Sequence, residues 1–533
     1  MHERVARALE DLYGDDPGDH LPELALHWRQ AAVSVDKAKA AEYALRAGRR
    51  ALENLAPADA VKLFADAVEF GGDADSAERC EALIGLGEAQ RQVGNPAHRE
   101  TLREASRIAS ILEDADRAAR AVLAGLRRPG GTIVGRVDER RLELVDRALE
   151  LDDPPDPARR ARLLAVKTQE LAYHPDLPRR MALADESIAL ARTAGDKRTL
   201  TSVLQSAFLG LWSAETLEQR TAVADELAEL AEELRDPAVE LTAGSIATQV
   251  FIERGECTRA QAALERWQAI AEQFGQPTLQ WFSMYVSAGW ELLHGHLDVG
   301  ERLAAEAFQI GQEAGQPDAA LIYGGHLSFI RSHQGRGQEI IEMQEHSVNA
   351  YPGIAAVNRA GLADSLCLLD RGDEARSILE QAANDGFQHV APNTTSLGAL
   401  ALYSSAAART RHIEAASALH ERIEPFADQV VWLTSQGFGH VRLYLGLLAS
   451  VLGKQAEAEE HLGFACEFHE ANDIPLWAAR GHLGWAETLA ERGDPAGARE
   501  HATRALELSH EHGYGTFEPR ASALLAAQPA AEG

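Results

Sequence analysis

The residues best suited to bind a ligand lie in two segments, QWFSMYVSAGWELLHGH at 280–296 and YGGHLSFIRSH at 323–333. Residues four apart share one face of a helix, as Trp281 and Tyr285 do. Aromatic side chains anchor many interfaces and pockets, yet they make up only 6% of this chain. We therefore predict a peptide- or ligand-binding patch in a groove. Its candidate residues are Trp281, Tyr285, Trp290, His294, Tyr323, His326 and Phe329.

Core packing of the same side chains is the alternative, and the sequence leaves both open. Metal binding is not expected. His294 and His296 straddle a predicted turn, whereas His326 and His333 lie two helical turns apart. No acidic or cysteine partner stands at ligand spacing beside them on a helix. We predict neither a metal site nor a cofactor.

Catalytic chemistry is also not predicted. The sequence has no GxSxG elbow, and no serine or cysteine stands in a recognisable motif beside a histidine. Paired acids such as Glu459-Glu460 lie in charged helical stretches, which is typical of a solvated surface. These observations favour a binding protein over an enzyme.

The elements that must position the aromatic residues are revealed by a regular spacing of glycines. The glycines recur every forty residues, with others midway, and a spacing in this range is typical of stacked helical repeats. The positions are Gly255, Gly275, Gly295, Gly315 and Gly335, and again Gly453, Gly493 and Gly513.

The last full repeat illustrates the predicted unit. Asp494 is placed to cap a second helix and Pro495 suits its first position, while Gly513 suits its end. One apolar face carries Ala498, Ala502, Ala505 and Leu506. Small residues at helix crossings are typical of tetratricopeptide repeats, although this unit is nearer forty than thirty-four residues. We predict an all-α, right-handed superhelical solenoid of about ten to twelve such hairpins, without a sheet.

The pattern weakens at Gly- and Pro-rich stretches, which divide the chain. The predicted organisation is N-terminal helices at 1–36, first repeats at 37–126, an irregular break at 127–160, the main solenoid at 161–518 and a frayed tail at 519–533.

Composition limits the partners. The formal net charge is -30, from 82 acidic and 52 basic residues, so the surface repels nucleic acid and anionic lipid. The four cysteines form no CxxC pair and are expected as buried thiols. The N-terminus lacks the apolar core of a signal peptide, and the apolar run at 443–452 is too short to span a bilayer. We predict a cytoplasmic protein with no membrane contact.

Several segments resemble one protein family in combination. They are ELALHWRQA with KAAEYALRAGRRALENLAPADAVKLFADAVE (23–69), ALADESIALARTAGD (182–196), RLAAEAFQIGQEAGQPDAA (302–320) and the stretch from YLGLLASVLGK to LAERGD (444–494). In this order they resemble the C-terminal tetratricopeptide-like region of large bacterial ATP-binding signalling proteins of the STAND or AAA type. Members of that family carry a nucleotide cyclase domain or a LuxR-type helix-turn-helix domain.

The chain departs from that family in its chemistry. No GxxxxGK[ST] phosphate loop, cyclase motif or basic helix-turn-helix occurs in the 533 residues. The resemblance therefore implies a regulatory arm that binds a protein, a peptide or a small effector in its concave groove. The implied partner is an ATPase module in cis or in trans. A free-standing tetratricopeptide scaffold is the alternative, and a helical enzyme is a third.

Overall fold

The computed structural model describes residues 1–14, 17–31, 37–54, 56–126 and 134–527. Within these residues the chain forms 27 α-helices and two short strands. Most helices pack against their neighbours along the chain, as helical hairpins do. The prediction of a largely α-helical array of helical hairpins is confirmed.

The helices of the N-terminal part are α1 (His2–Tyr13), α2 (Leu21–Ala31), α3 (Lys37–Glu53), α4 (Pro57–Phe70), α5 (Ala77–Gln92), α6 (His98–Ile111), α7 (Ala115–Ala124), α8 (Glu139–Leu151), α9 (Pro157–Glu170), α10 (Leu177–Ala194) and α11 (Lys197–Leu211). The helices that follow are α12 (Leu217–Leu234), α13 (Pro237–Glu253), α14 (Cys257–Phe274), α15 (Pro277–Leu293), α16 (Leu297–Glu313), α17 (Ala319–His333), α18 (Ile341–Ala350), α19 (Ala355–Leu368), α20 (Gly372–Ala383), α21 (Ser396–Thr410) and α22 (Ile413–Ile423). The C-terminal elements are the strands β1 (Val430–Trp432) and β2 (Gly437–His440) and the helices α23 (Val441–Val451), α24 (Gln455–Ala471), α25 (Pro475–Arg492), α26 (Pro495–His512) and α27 (Glu518–Ala527).

The chain divides into two compact units. The first consists of Met1–Gly131, Asp138–Glu170 and Met181–Ala207, and the second of Thr132–Val137, Leu171–Arg180 and Phe208–Gly533, each in its described part. The sequence did not predict this division.

The regularly spaced glycines form the corners of the hairpins. All eight have φ between +61° and +82°, a region that L side chains rarely adopt. At the end of α15, the amide of Gly295 donates to the carbonyl of Leu292 at 3.0 Å, and the amide of His296 donates to that of Glu291 at 2.9 Å. These bonds satisfy carbonyls that the helix leaves free. Because α13 to α16 have 17 or 18 residues each, longer helices account for the longer repeat.

The predicted capping of α26 is also present. The Asp494 side chain accepts a bond from the Gly497 amide at 3.0 Å, and Pro495 occupies the first turn. Ala498, Ala502 and Ala505 are fully buried. Alanine therefore brings the helices close together at the crossings, as the repeat pattern predicts.

In the first unit, one buried carboxylate ties neighbouring helices together. Glu81 of α5 lies within ion-pairing distance of Arg49 on α3, at 2.8 Å, and of Arg117 and Arg120 on α7, at 3.1 and 2.7 Å. These cations lower the pKa of Glu81 against the raising effect of burial, which is the largest single influence. A buried carboxylate is tolerated because it is paired.

The second unit contains a β-hairpin, contrary to the expectation of a solenoid without a sheet. β1 and β2 pair antiparallel, with Val430 opposite His440 and Trp432 opposite Gly437. Every residue of both strands is buried. A strand buried on both faces shows no polar-apolar alternation, so the expected signature of a strand was absent. The prediction of a solenoid without a sheet was wrong at this place.

The hairpin lies among the first helices of successive helical pairs in the second unit. It contacts α13, α15 and α21 as well as the adjacent α23 and α24. The Trp432 indole donates to the Gln249 side chain at 2.6 Å. At the tip, a Cβ on Gly289 of α15 would lie 2.5 Å from the Ser435 carbonyl oxygen, and one on Gly398 of α21 would lie 2.5 Å from Leu433. Glycines on the surrounding helices therefore make room for the tip.

Two predicted irregular segments contain helices. Within 127–160, residues 127–133 lie outside the described part, but 139–151 form α8, whose first turn Asp138 caps. Within the predicted frayed tail, α27 reaches Ala527, and residues 528–533 lie outside the described part. α27 is held because Ala521 is fully buried against the second unit's core. Both expectations of irregular structure are corrected there.

Candidate functional site

The structure places most of the predicted aromatic patch inside the core of the second unit. Trp281, Tyr285 and Trp290 of α15 are each 5% exposed. The rings of Trp281 and Tyr285 lie 5.0 Å apart, and Trp281 fills the space above Gly311 of α16. Burial raises the pKa of the Tyr285 hydroxyl well above its ordinary value. These side chains pack helices together, as the core-packing alternative proposed.

The remaining predicted residues are partly or fully buried. Tyr323 is half-buried and stacks on Phe308 at 4.7 Å. The His294 ring lies 4.3 Å from the Trp290 ring at an angle of 50°, and its Nδ1 lies 2.9 Å from the carbonyl oxygen of Trp290. His326 is fully buried, and burial lowers its pKa to about 4. The structure does not bring the seven residues together as one open surface.

A cavity of about 280 Å³ lies beside Phe329, in the second unit. We call it the α17–α19 cavity, because these three helices form most of its wall. The rest of the wall comes from the segment between α18 and α19, from α21 and the residues just before it, from Val134 and Tyr173, and from the β-hairpin. Of the seven predicted residues only Phe329 lines it, together with His333 of the same segment. Much of the lining is apolar, from Ile322, Phe329, Met343, Ile354, Val357, Leu402, Leu433 and Phe438.

A small polar group lies on one wall of this cavity. The Gln344 amide donates to Ser365 Oγ at 3.0 Å, and Ser365 Oγ lies 3.3 Å from Ser332 Oγ. Gln344 is 8% exposed, and its Oε1 has no hydrogen-bond partner among the described residues. A buried acceptor without a partner costs roughly 1–3 kcal/mol. A ligand that donates a hydrogen bond there would recover part of that cost.

Two titratable groups on the wall are already engaged. His333 Nδ1 lies 2.8 Å from the carbonyl oxygen of Phe329, and burial lowers the pKa of His333 to about 4. The ring is therefore neutral at pH 7, with Nδ1 donating and Nε2 left as an acceptor. Asp364 accepts a bond from the Ser405 hydroxyl and lies 3.7 Å from Arg480. Both groups can orient a ligand, and His333 is not poised for proton transfer near neutral pH.

The arrangement suits a small, mostly apolar molecule with one or two polar groups. Pockets for such ligands are typically apolar and carry a few placed hydrogen-bonding groups. This site has no continuous sequence signal, because Gln344, Ser365 and the hairpin tip are far apart along the chain. Only Phe329 and His333 gave a local signal, through their shared aromatic segment.

The cysteines, the potential metal ligands and the apolar helices also bear on the sequence-based expectations. Three of the four cysteines, Cys80, Cys367 and Cys466, are buried as predicted. Burial raises the pKa of Cys367 and Cys466 to about 12. In the part of the chain that the structure describes, no three His, Cys, Asp or Glu side chains gather as a metal site, and no helix has the length and apolar character needed to cross a membrane.

Comparisons with known proteins give similarity only among solved structures. No protein-family model and no curated protein matches the chain. The crystal structure of the APC/C hetero-tetramer Cut9-Hcn1 matches at 12% identity over 94% of this chain and 98% of that chain, with a TM-score of 0.33. The structure of Naa15/Naa10 bound to HypK-THB matches at 12% identity over 98% and 96%, with a TM-score of 0.23. A circular tandem repeat protein with novel repeat topology matches at 15% identity over 98% and 96%, with a TM-score of 0.16. These scores assign neither a partner nor an activity to this chain.

Proposed function

We propose that the chain is a non-catalytic, cytoplasmic regulatory module whose second unit binds a small, largely apolar effector. The observation that carries the proposal is the α17–α19 cavity, with its apolar walls and the unpartnered Oε1 of Gln344. A ligand there would bury apolar surface and donate a hydrogen bond to that oxygen.

The β-hairpin supports a small effector over a peptide. An extended peptide would need a long free groove along the first helices, and in the second unit Val430–His440 already packs against several of them. The hairpin tip also lines the cavity, through Leu433, Thr434, Ser435 and Gln436. A ligand in the cavity would therefore contact the tip.

The regulatory role rests on the resemblance to bacterial ATP-binding signalling proteins. In such a protein the array would contact an ATPase module in cis or in trans. An effector alters the output only if it binds one conformation of the array more tightly than another. The hairpin is our candidate for the element that differs between the two conformations.

Filling the cavity tests the proposal. Gly361 of α19 lines the cavity, and a Cβ there would meet no atom within 4 Å. Gly361→Leu should therefore extend from a Cβ that meets no atom into the ligand space, and it should favour the helix by about 0.8 kcal/mol. The apolar fluorophore N-phenyl-1-naphthylamine should bind the unmodified chain and bind Gly361→Leu at least about tenfold more weakly.

Ala262→Leu is the matched control, because it adds a leucine at an exposed position of α14. It should leave the affinity for the fluorophore unchanged. The proposal fails if the unmodified chain shows no saturable binding, or if Gly361→Leu binds as tightly as the control while unfolding at the same or a higher temperature.

A further inference from the structure

A second cavity in the second unit is lined by arginines. It has a volume of about 290 Å³ and lies among α21, α23, α25 and α27. Four arginines line it: Arg409, Arg411, Arg480 and Arg520. We call it the arginine cavity. Two carboxylates, Glu487 and Glu491, line it as well, so positive charge is in excess in a chain whose formal net charge is -30.

Three of the four arginines have carboxylate partners. Arg411 pairs with Glu491, and Arg520 pairs with Glu487. Arg480 lies 3.7 Å from Asp364, which is outside the lining of the cavity. This distance is long for a hydrogen-bonded pair. Asp364 therefore neutralises the positive charge of Arg480 only in part.

Arg409 has no such partner. Among the described residues no carboxylate oxygen lies within 4 Å of its guanidinium, and its bond is to the Cys367 carbonyl oxygen at 3.0 Å. Burial, followed by the charges of Arg520 and Arg480, lowers the pKa of Arg409 to about 10. Asp370 and Asp373 line a separate opening beside Arg409 and do not pair with it.

Arg480 is a second arginine of this cavity whose side chain is not fully hydrogen-bonded. It is 6% exposed, and its Nε has no hydrogen-bond partner among the described residues. Its Nη2 donates to Ser405. A buried guanidinium N–H without an acceptor is a costly group that an anionic oxygen would satisfy.

We propose that the arginine cavity binds the phosphoryl groups of a small polyanion. The planar guanidinium donates two parallel bonds to phosphate oxygens, which is why arginine suits phosphate recognition. Arg409 and Arg480 supply the charge that protein carboxylates leave uncompensated. The site is distinct from the α17–α19 cavity, from which Asp364 and Ser405 separate it, and it does not depend on the function proposed above.

Calorimetric titration with pyrophosphate at low salt tests this site. The unmodified chain should bind pyrophosphate saturably, and Arg409→Met should bind at least about tenfold more weakly. Arg520→Met, on the terminal helix α27, should also weaken binding. Arg266→Met, whose side chain is 73% exposed on α14, is the control and should bind normally.

Thermal unfolding separates a binding role from a structural one. Removing Arg409 relieves repulsion from Arg480 and Arg520, so unliganded Arg409→Met should unfold at the same or a higher temperature. Added pyrophosphate should raise the unfolding temperature of the unmodified chain but not that of Arg409→Met. The proposal is overturned if pyrophosphate does not bind, if neither variant weakens it, or if the dicarboxylate malonate binds equally well.

Discussion

At the scale of single residues, buried histidines make the second unit sensitive to acid. Burial lowers the pKa values of His326, His333 and His440 to about 4 and lowers that of His469 well below its ordinary value. A histidine in an unfolded chain titrates near pH 6.5. Below that pH these histidines bind protons in the unfolded state but stay neutral in the folded state. The free energy of unfolding therefore falls as the pH falls.

His326→Gln should reduce this dependence. The folded pKa of His326 is about 4, set by burial and partly offset by nearby backbone groups of Ser435 and Tyr285. Between pH 6.5 and 4 the histidine contributes a slope of up to about 1.4 kcal/mol per pH unit. Urea unfolding across this range should give a shallower slope for the variant. His510→Gln, at a side chain 61% exposed, is the control; equal slopes for both variants and the unmodified chain would contradict the assignment.

At the scale of elements, the β-hairpin packs closely against the helices of the second unit. Its tip approaches α15 so closely that a Cβ on Gly289 would lie 2.5 Å from the Ser435 carbonyl oxygen and 2.6 Å from its carbon. Backbone atoms cannot rotate away as a flexible side chain can. A glycine at this helical position therefore serves the contact with the hairpin, despite its low helix propensity.

Gly289→Ala should destabilise the second unit by about 1–3 kcal/mol, because overpacking moves the hairpin tip. Gly361→Ala is the matched control: it is also a helical glycine, but its Cβ would meet no atom within 4 Å. That variant should be more stable by up to about 1 kcal/mol. Chemical denaturation of both measures the difference, and similar effects of the two substitutions would argue against a close-packed tip.

The elements show which features local sequence could predict. Asp494, Pro495 and Gly513 determine the ends of α26 by local hydrogen bonds and backbone angles, so they were recognisable without a structure. The hairpin was not, because buried contacts with α13, α15 and α21 stabilise it. Val430, Val431 and Trp432 were the available hint, as β-branched and aromatic residues before a turn.

At the scale of the whole chain, repetition predicts the array but not its sites. Each repeat depends on its neighbours, so the spacing of glycines was enough to predict helical hairpins. The cavities are formed by residues that are distant in sequence and meet only in the fold. Arg409 and Arg520, for example, line one cavity although they are far apart in sequence. The aromatic segment around Gly295 was recognisable for its composition, but most of its side chains serve the core.

The central claim is that, in the second unit, the chain's own hairpin covers the surfaces of α13, α15 and α21 that it contacts and leaves space for a small effector. Hydrogen–deuterium exchange of the full chain, read by mass spectrometry over Val430–His440, tests this most directly. The antiparallel bonds and complete burial of both strands predict exchange as slow as that of α15 and α25. N-phenyl-1-naphthylamine should slow exchange further at the tip, residues 433–436. Exchange over Val430–His440 as fast as in an unstructured peptide would contradict the claim, because the surface would then be open to a peptide partner.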